Sequence, residues 1–96
     1  MSDTTLSVPP RTVSIVNHLG LHARPAAKIV TTAERFDAEA TIAHGSNVVS
    51  ALSIMGLMML GAGEGQDVTL RAHGPQAVEV LDALEALIAD GFGERD

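Results

Sequence analysis

Gly20-Leu21-His22-Ala23-Arg24-Pro25-Ala26-Ala27 sets a histidine where a helix is about to begin. Pro25 suits a first helical turn, because N–H groups there have no intrahelical acceptor. Beyond it Ala26, Ile29, Val30 and Ala33 follow the i, i+3, i+4, i+7 pattern, which predicts a helix from Ala23 to Arg35. His22 then lies at or beside the N-cap. The free N–H groups of Ala23 and Arg24, together with the positive end of the helix dipole, make an anion site around its ring.

Such a site favours the neutral, nucleophilic imidazole over imidazolium. Once the ring carries a phosphoryl group, the same N–H groups and Arg24 face an anion. Arg24 offers a charged fork matched to phosphate oxygens. A helix terminus contributes about 0.3–2 kcal/mol to a neighbouring charge, enough to tune a transferable phosphohistidine without trapping it.

The remaining pattern alternates strands and helices. Met1 to Pro10 is polar, ends in Pro9-Pro10 and is expected to be a loose arm, with residues 11–96 forming one domain. Thr12–Val16 alternates, with Val13 and Ile15 on one side. Ala38–Ala43 predicts a second strand with Ala38, Ala40 and Ile42 inward. A turn at His44-Gly45-Ser46-Asn47 leads into a short strand, Val48–Ser50. Ser53 caps a short helix ending near Leu60, and Gly61, Gly63 and Gly65 mark a connection. Asp67–His73 alternates again, with Val68, Leu70 and Ala72 inward. Gly74-Pro75 opens a last helix whose core face is Ala77, Leu81, Leu84 and Ile88, with Gly91 as its stop. The order βαββαβα suits an α+β fold: a four-stranded, mostly antiparallel sheet with three helices on one face.

Composition narrows the function. Ninety-six residues make one domain with a modest core. Without cysteine there is neither a disulfide framework nor a thiolate metal site. The net charge of −6 argues against nucleic acid as a partner, and two Phe with no Trp or Tyr leave no stacking platform. No apolar run reaches membrane-spanning length and no signal-peptide layout is present, so a cytoplasmic protein is expected, with no membrane association. His18 and His22 are separated by loop, His44 lies in a turn and His73 ends a strand, so no metal site is expected. The Gly61–Gly65 run lacks the Lys-Ser/Thr of a nucleotide loop, and no cofactor is implied. Glu79, Asp82, Glu85 and Asp90 read as a solvated helix face.

Gly-Leu-His-Ala-Arg-Pro-Ala-Ala closely resembles the active-site signature of the HPr family, the histidine phosphocarriers of the bacterial phosphotransferase system. The likeness runs along nearly the whole chain after residue 10. It implies an open-faced β-sandwich. His22 would be the phosphorylated nucleophile through Nδ1, Arg24 would stabilise the phosphate, and the backbone of Ala23 and Arg24 would bind it. An Enzyme I-type kinase would be the donor and an EIIA-type protein the acceptor, with the chain acting as a stoichiometric, monomeric carrier rather than a turnover enzyme. The alternative in another class is an adaptor that binds a regulator, phosphorylation serving only to switch affinity.

The Ser53 helix is apolar nearly all round, more than one core stripe requires. In the HPr family this helix docks partners beside the histidine. Ile54, Met55 and Met58 match the contact positions, and Ala23 and Ala27 would complete the surface. Ser53-Ile54-Met55-Gly56 also resembles the regulatory-serine segment of HPr kinase substrates, departing from it at Leu52, where the family often carries a basic residue. From physics alone Ser53 is simply a helix cap. Asn17-His18-Leu19-Gly20 and the closing Gly91-Phe92-Gly93-Glu94 are closer to the nitrogen-related NPr branch, whereas the Ser53 segment looks like the kinase-regulated type.

Overall fold

The strands alternate buried and exposed residues, and that alternation builds a four-stranded sheet of order β1-β4-β2-β3 in the computed structural model, which describes residues 8–94. The strands are β1 (Arg11–Ser14), β2 (Glu39–His44), β3 (Asn47–Ser50) and β4 (Asp67–His73). Every neighbouring pair is antiparallel, so the sheet is antiparallel throughout. Pairing Val13 with Val68 and Ile42 with Leu70 puts one apolar set on one face. Against that face pack α1 (Ala23–Ala33), α2 (Ile54–Met59) and α3 (Ala77–Ala89), giving the expected βαββαβα order.

The predicted inward residues Val13, Ile15, Ala40, Ile42, Val68, Leu70 and Ala72 are buried, while Ala38 is half-buried at the sheet's margin. On α1, Ala26, Ile29 and Ala33 are buried and Val30 packs half-buried beside them. On α3, Ala77, Leu81, Leu84 and Ile88 reach the core, joined by Val80, which the sequence pattern passed over. Each fully buried Leu or Ile contributes about 1.5–3 kcal/mol.

Element ends depart from expectation for local reasons. Helix α1 stops at Ala33 rather than Arg35, because the N–H groups of Arg35 and Phe36 turn back to the carbonyls of Thr32 and Ala33. These shorter i→i−3 bonds tighten the last turn and tuck Phe36 against the core. Strand β1 ends at Ser14, yet Ile15 still exchanges bonds with the turn, its N–H to Gln66 O and its carbonyl from Gly65 N–H, both at 2.8 Å. Of the expected arm at residues 1–10, residues 1–7 lie outside the described residues, and Val8 packs half-buried against the core.

The acidic face of α3 is only partly the solvated surface expected. Asp82 and Glu85 both accept from the Arg11 guanidinium and tie α3 to the edge strand β1. These bonds, that to Asp82 first and that to Glu85 second, push the Arg11 pKa above its ordinary value. Glu39 on β2 sits 3.2 Å from His73 Nε2 on the neighbouring strand.

Candidate functional site: an imidazole at a helix N-terminus

The loop before α1 is fixed by its backbone. Gly20 has φ +66°, and a Cβ there would lie 2.5 Å from the Ala62 carbonyl oxygen. Only glycine fits that approach. Beside it the Leu21 N–H donates to the same Ala62 carbonyl at 3.1 Å, and the buried Leu21 side chain anchors the loop. His22 is thereby delivered to the N-cap of α1 in extended conformation (φ −85°, ψ −167°).

Its carbonyl accepts the first helical bond from Ala26 N–H, but its ring caps nothing. The N–H groups of Ala23 and Arg24 have no acceptor among the described residues. The Arg24 side chain is exposed beside them and makes no ion pair with a described residue. The structure thus brings an imidazole and open backbone donors together at a helix terminus, with the Arg24 side chain exposed on the same first turn.

The ring has a second neighbour that the residues around it did not suggest. His22 Nε2 lies 3.1 Å from Glu94 Oε2, whereas Nδ1 has no partner among the described residues. Glu94 is itself held, its Oε1 accepting from Asn17 Nδ2 at 3.1 Å. Asn17 also donates to the Gly20 carbonyl at 2.9 Å and is the one buried polar residue among the described residues. The Asn17-His18-Leu19-Gly20 and Gly91–Glu94 segments, quoted above only for their likeness, converge here.

The other histidines are occupied elsewhere. His44 Nδ1 meets the Leu60 carbonyl at 3.0 Å at the end of α2, and His18 Nδ1 faces Glu64 at 3.3 Å in solvent. None of them sits at a helix N-terminus.

Helix α2 divides its apolar residues. Leu57 is buried, whereas Ile54, Met55, Met58 and Met59 are exposed, Met55 by 69%. Met58 and His22 line one depression together with Leu19, Leu21 and Gly61, so the apolar patch adjoins the imidazole. Ala23 is exposed and Ala27 half-buried on α1, the helix that packs beside α2. Ser53 is the N-cap of α2, its Oγ accepting from Gly56 N–H at 3.0 Å.

An open-faced α+β sandwich that presents an imidazole at a helix N-terminus, beside an exposed apolar patch, has the architecture of a small protein phosphocarrier. Residues 10–90 match the family model for the PTS HPr component phosphorylation site. The phosphocarrier protein HPr of Cupriavidus necator is 49% identical over 84 residues, spanning 88% of this chain and 94% of that one. The phosphocarrier protein NPr of Shewanella violacea is 48% identical, spanning 88% and 92%. A crystal structure of HPr from Thermoanaerobacter tengcongensis superimposes with TM-score 0.87 at 42% identity, covering 93% of this chain and all of that one. The chain belongs to the HPr family and is a phosphohistidine carrier of the phosphotransferase system. The alternative role as a phosphorylation-switched adaptor is not favoured by these relationships. Both the HPr and the NPr name occur among the close relatives, which is consistent with the NPr-like segments.

Proposed function

We propose that His22 is the residue that carries the phosphoryl group, received from an Enzyme I-type phosphohistidine and passed to a histidine of an EIIA-type protein. The observation that carries this assignment is the His22 ring at the start of α1, with Nδ1 unpartnered and the Ala23 and Arg24 N–H groups open beside it. In the forward step Nδ1 attacks phosphorus, the donor P–N bond breaks and its electron pair returns to the donor imidazole. The backbone donors and Arg24 then hold the phosphoryl oxygens. Attack by the acceptor histidine returns the electron pair to Nδ1, leaving the carrier unchanged after each cycle. Nothing in the step asks for a metal or cofactor, and the protein acts as a stoichiometric monomer. A cytoplasmic setting fits this chemistry, and no described helix is long and apolar enough to cross a membrane.

The test is to phosphorylate the chain with phosphoenolpyruvate and Enzyme I-type kinases of the sugar and nitrogen branches, then map the phosphate by mass spectrometry. An acid-labile phosphate on the His22 peptide is the expected result, and the preferred kinase assigns the branch. Phosphate on His18, His44 or His73 instead would refute the assignment.

Partner docking belongs to Ala23, Ala27, Ile54, Met55 and Met58, because Met58 adjoins His22 and the exposed apolar residues of α2 supply adaptable contact. Ser53 is then suited to regulation by an HPr kinase-type enzyme: a phosphate on this cap would sit on the α2 N-terminus and set about two negative charges against the patch. Aspartate caps a helix as well as serine does. Ser53→Asp is therefore expected to leave the midpoint of thermal unfolding nearly unchanged while slowing transfer from Enzyme I about tenfold, the equivalent of roughly 1.4 kcal/mol in docking. Equal transfer rates in the two proteins would remove Ser53 from the docking face.

A further inference from the structure

The His22 ring touches a carboxylate through one nitrogen only, and a carboxylate can only accept. We infer that Glu94, locked in place by Asn17, is a positioning residue that fixes His22 as the Nε2–H tautomer, an inference that rests on His22 being the carried residue.

The geometry is a relay of fixed polarity. Asn17 Nδ2 donates to the Gly20 carbonyl at 2.9 Å and to Glu94 Oε1 at 3.1 Å. Both acceptors are incapable of donating, so the Asn17 amide is held with its NH2 toward them. Glu94 Oε2 then faces His22 Nε2 at 3.1 Å. With the ring neutral, a proton on Nε2 leaves the lone pair on Nδ1, the atom that attacks phosphorus in the proposed step. After transfer Nδ1 carries phosphorus and Nε2 keeps its proton, so the ring becomes cationic while still bonded to the carboxylate. Glu94 therefore faces a positive ring in the phosphorylated state, and neither the proton nor the carboxylate has to move during the step.

The backbone that delivers Glu94 is built for one position. Gly91, Phe92 and Gly93 have φ +67°, +60° and +74°, three consecutive left-handed residues. Phe92 is the one non-glycine residue with positive φ among the described residues, a strained conformation that its surroundings must hold in place. The turn is pinned from three sides: the Phe92 ring is buried, Lys28 Nζ on α1 donates to the Phe92 carbonyl, and Glu94 N–H donates to the Gly91 carbonyl at 3.0 Å. The Glu94 side chain is only 16% exposed. Among the described residues, Glu94 is the charged group in contact with the ring.

Glu94→Gln reads the relay directly. A glutamine has one amide oxygen, and the fixed Asn17 donor claims it. Its NH2 then points at His22 Nε2, which must become the acceptor, so the ring proton moves to Nδ1 and blocks the nucleophile. Long-range 1H–15N correlation spectra of the unphosphorylated proteins, at a pH where the ring is neutral, are expected to give Nε2–H in the native protein and Nδ1–H in Glu94→Gln. Single-turnover phosphorylation at Nδ1 by Enzyme I should slow roughly 10- to 100-fold, the range over which orienting partners of functional imidazoles act. A matching amide spectrum of the rest of the chain excludes unfolding as the cause. An Nδ1–H ring in the native protein, an unchanged tautomer in Glu94→Gln, or an unchanged transfer rate would overturn the inference. Because the tautomer is read without phosphate, it stands apart from the mapping of phosphate to His22, whose failure would overturn the carrier assignment instead.

Discussion

His22→Ala is expected to abolish acid-labile phosphate uptake from phosphoenolpyruvate, while alanine at His18, His44 or His73 leaves uptake intact. The loss should exceed about a thousandfold, because removing a nucleophile leaves no group to take over its bond. The contrast among the histidines follows from their surroundings. His44 Nδ1 is engaged with the Leu60 carbonyl and serves the end of α2, so His44→Ala should cost stability, about 1 kcal/mol for one hydrogen bond, and no transfer. His18 and His73 pair with exposed Glu64 and Glu39, contacts of the kind that contribute little. Only His22 stands where a transferred phosphoryl group would meet backbone donors and a free guanidinium. Filter-binding of labelled protein, with and without acid treatment, measures the effect. Label retained by His22→Ala, or lost with His18→Ala, would contradict it.

What the sequence made legible was whatever depends on near neighbours. Strand β4 keeps its predicted bounds, Asp67–His73, because period-two alternation runs unbroken between Gly65 and Gly74. The start of α1 was readable from Pro25 and the apolar spacing behind it, and the Ser53 cap from its place before an apolar run. Long-range polar contacts left no such trace. Arg11 meets Asp82 across 71 residues, so a face that looks solvated in sequence is bridged in the fold. Glu94 meets His22 across 72 residues, and Asn17 meets Glu94 across 77. No periodicity encodes these pairings. The Glu94 pairings arise because α1 begins beside the turn that follows α3, where Lys28 also reaches the Phe92 carbonyl. One signal was available: a phenylalanine between two glycines, just past a helix, is an odd composition for a solvated tail and marks a turn with a buried anchor. Burial of Asn17 is the other half of the same fact, since a buried NH2 needs acceptors and this one finds them in the Gly20 carbonyl and Glu94.

Phe92→Ala is expected to lower the unfolding free energy by about 3–5 kcal/mol, the range for deleting a buried aromatic ring. Phe92 is 1% exposed and belongs to the core cluster. In a domain whose whole stability is about 5–15 kcal/mol, that loss is a large share. Alanine does not relieve the left-handed strain, because the penalty at φ +60° comes from Cβ, which alanine keeps. Phe92→Gly separates the two effects: it loses the same ring but releases about 1–2 kcal/mol of strain, offset in part by the unfolded chain's greater freedom. Urea unfolding should therefore rank native above Phe92→Gly, with Phe92→Ala equal or lower. The same substitution unpins the turn that carries Glu94, so the His22 ring in Phe92→Ala should lose its preference for the Nε2–H tautomer even under conditions where the domain is still folded. A folded Phe92→Ala with native midpoint would mean that Phe92 does not anchor the core. One with a lowered midpoint and an undisturbed tautomer would mean that Asn17 alone suffices to hold Glu94, and that the left-handed turn serves stability and not the site.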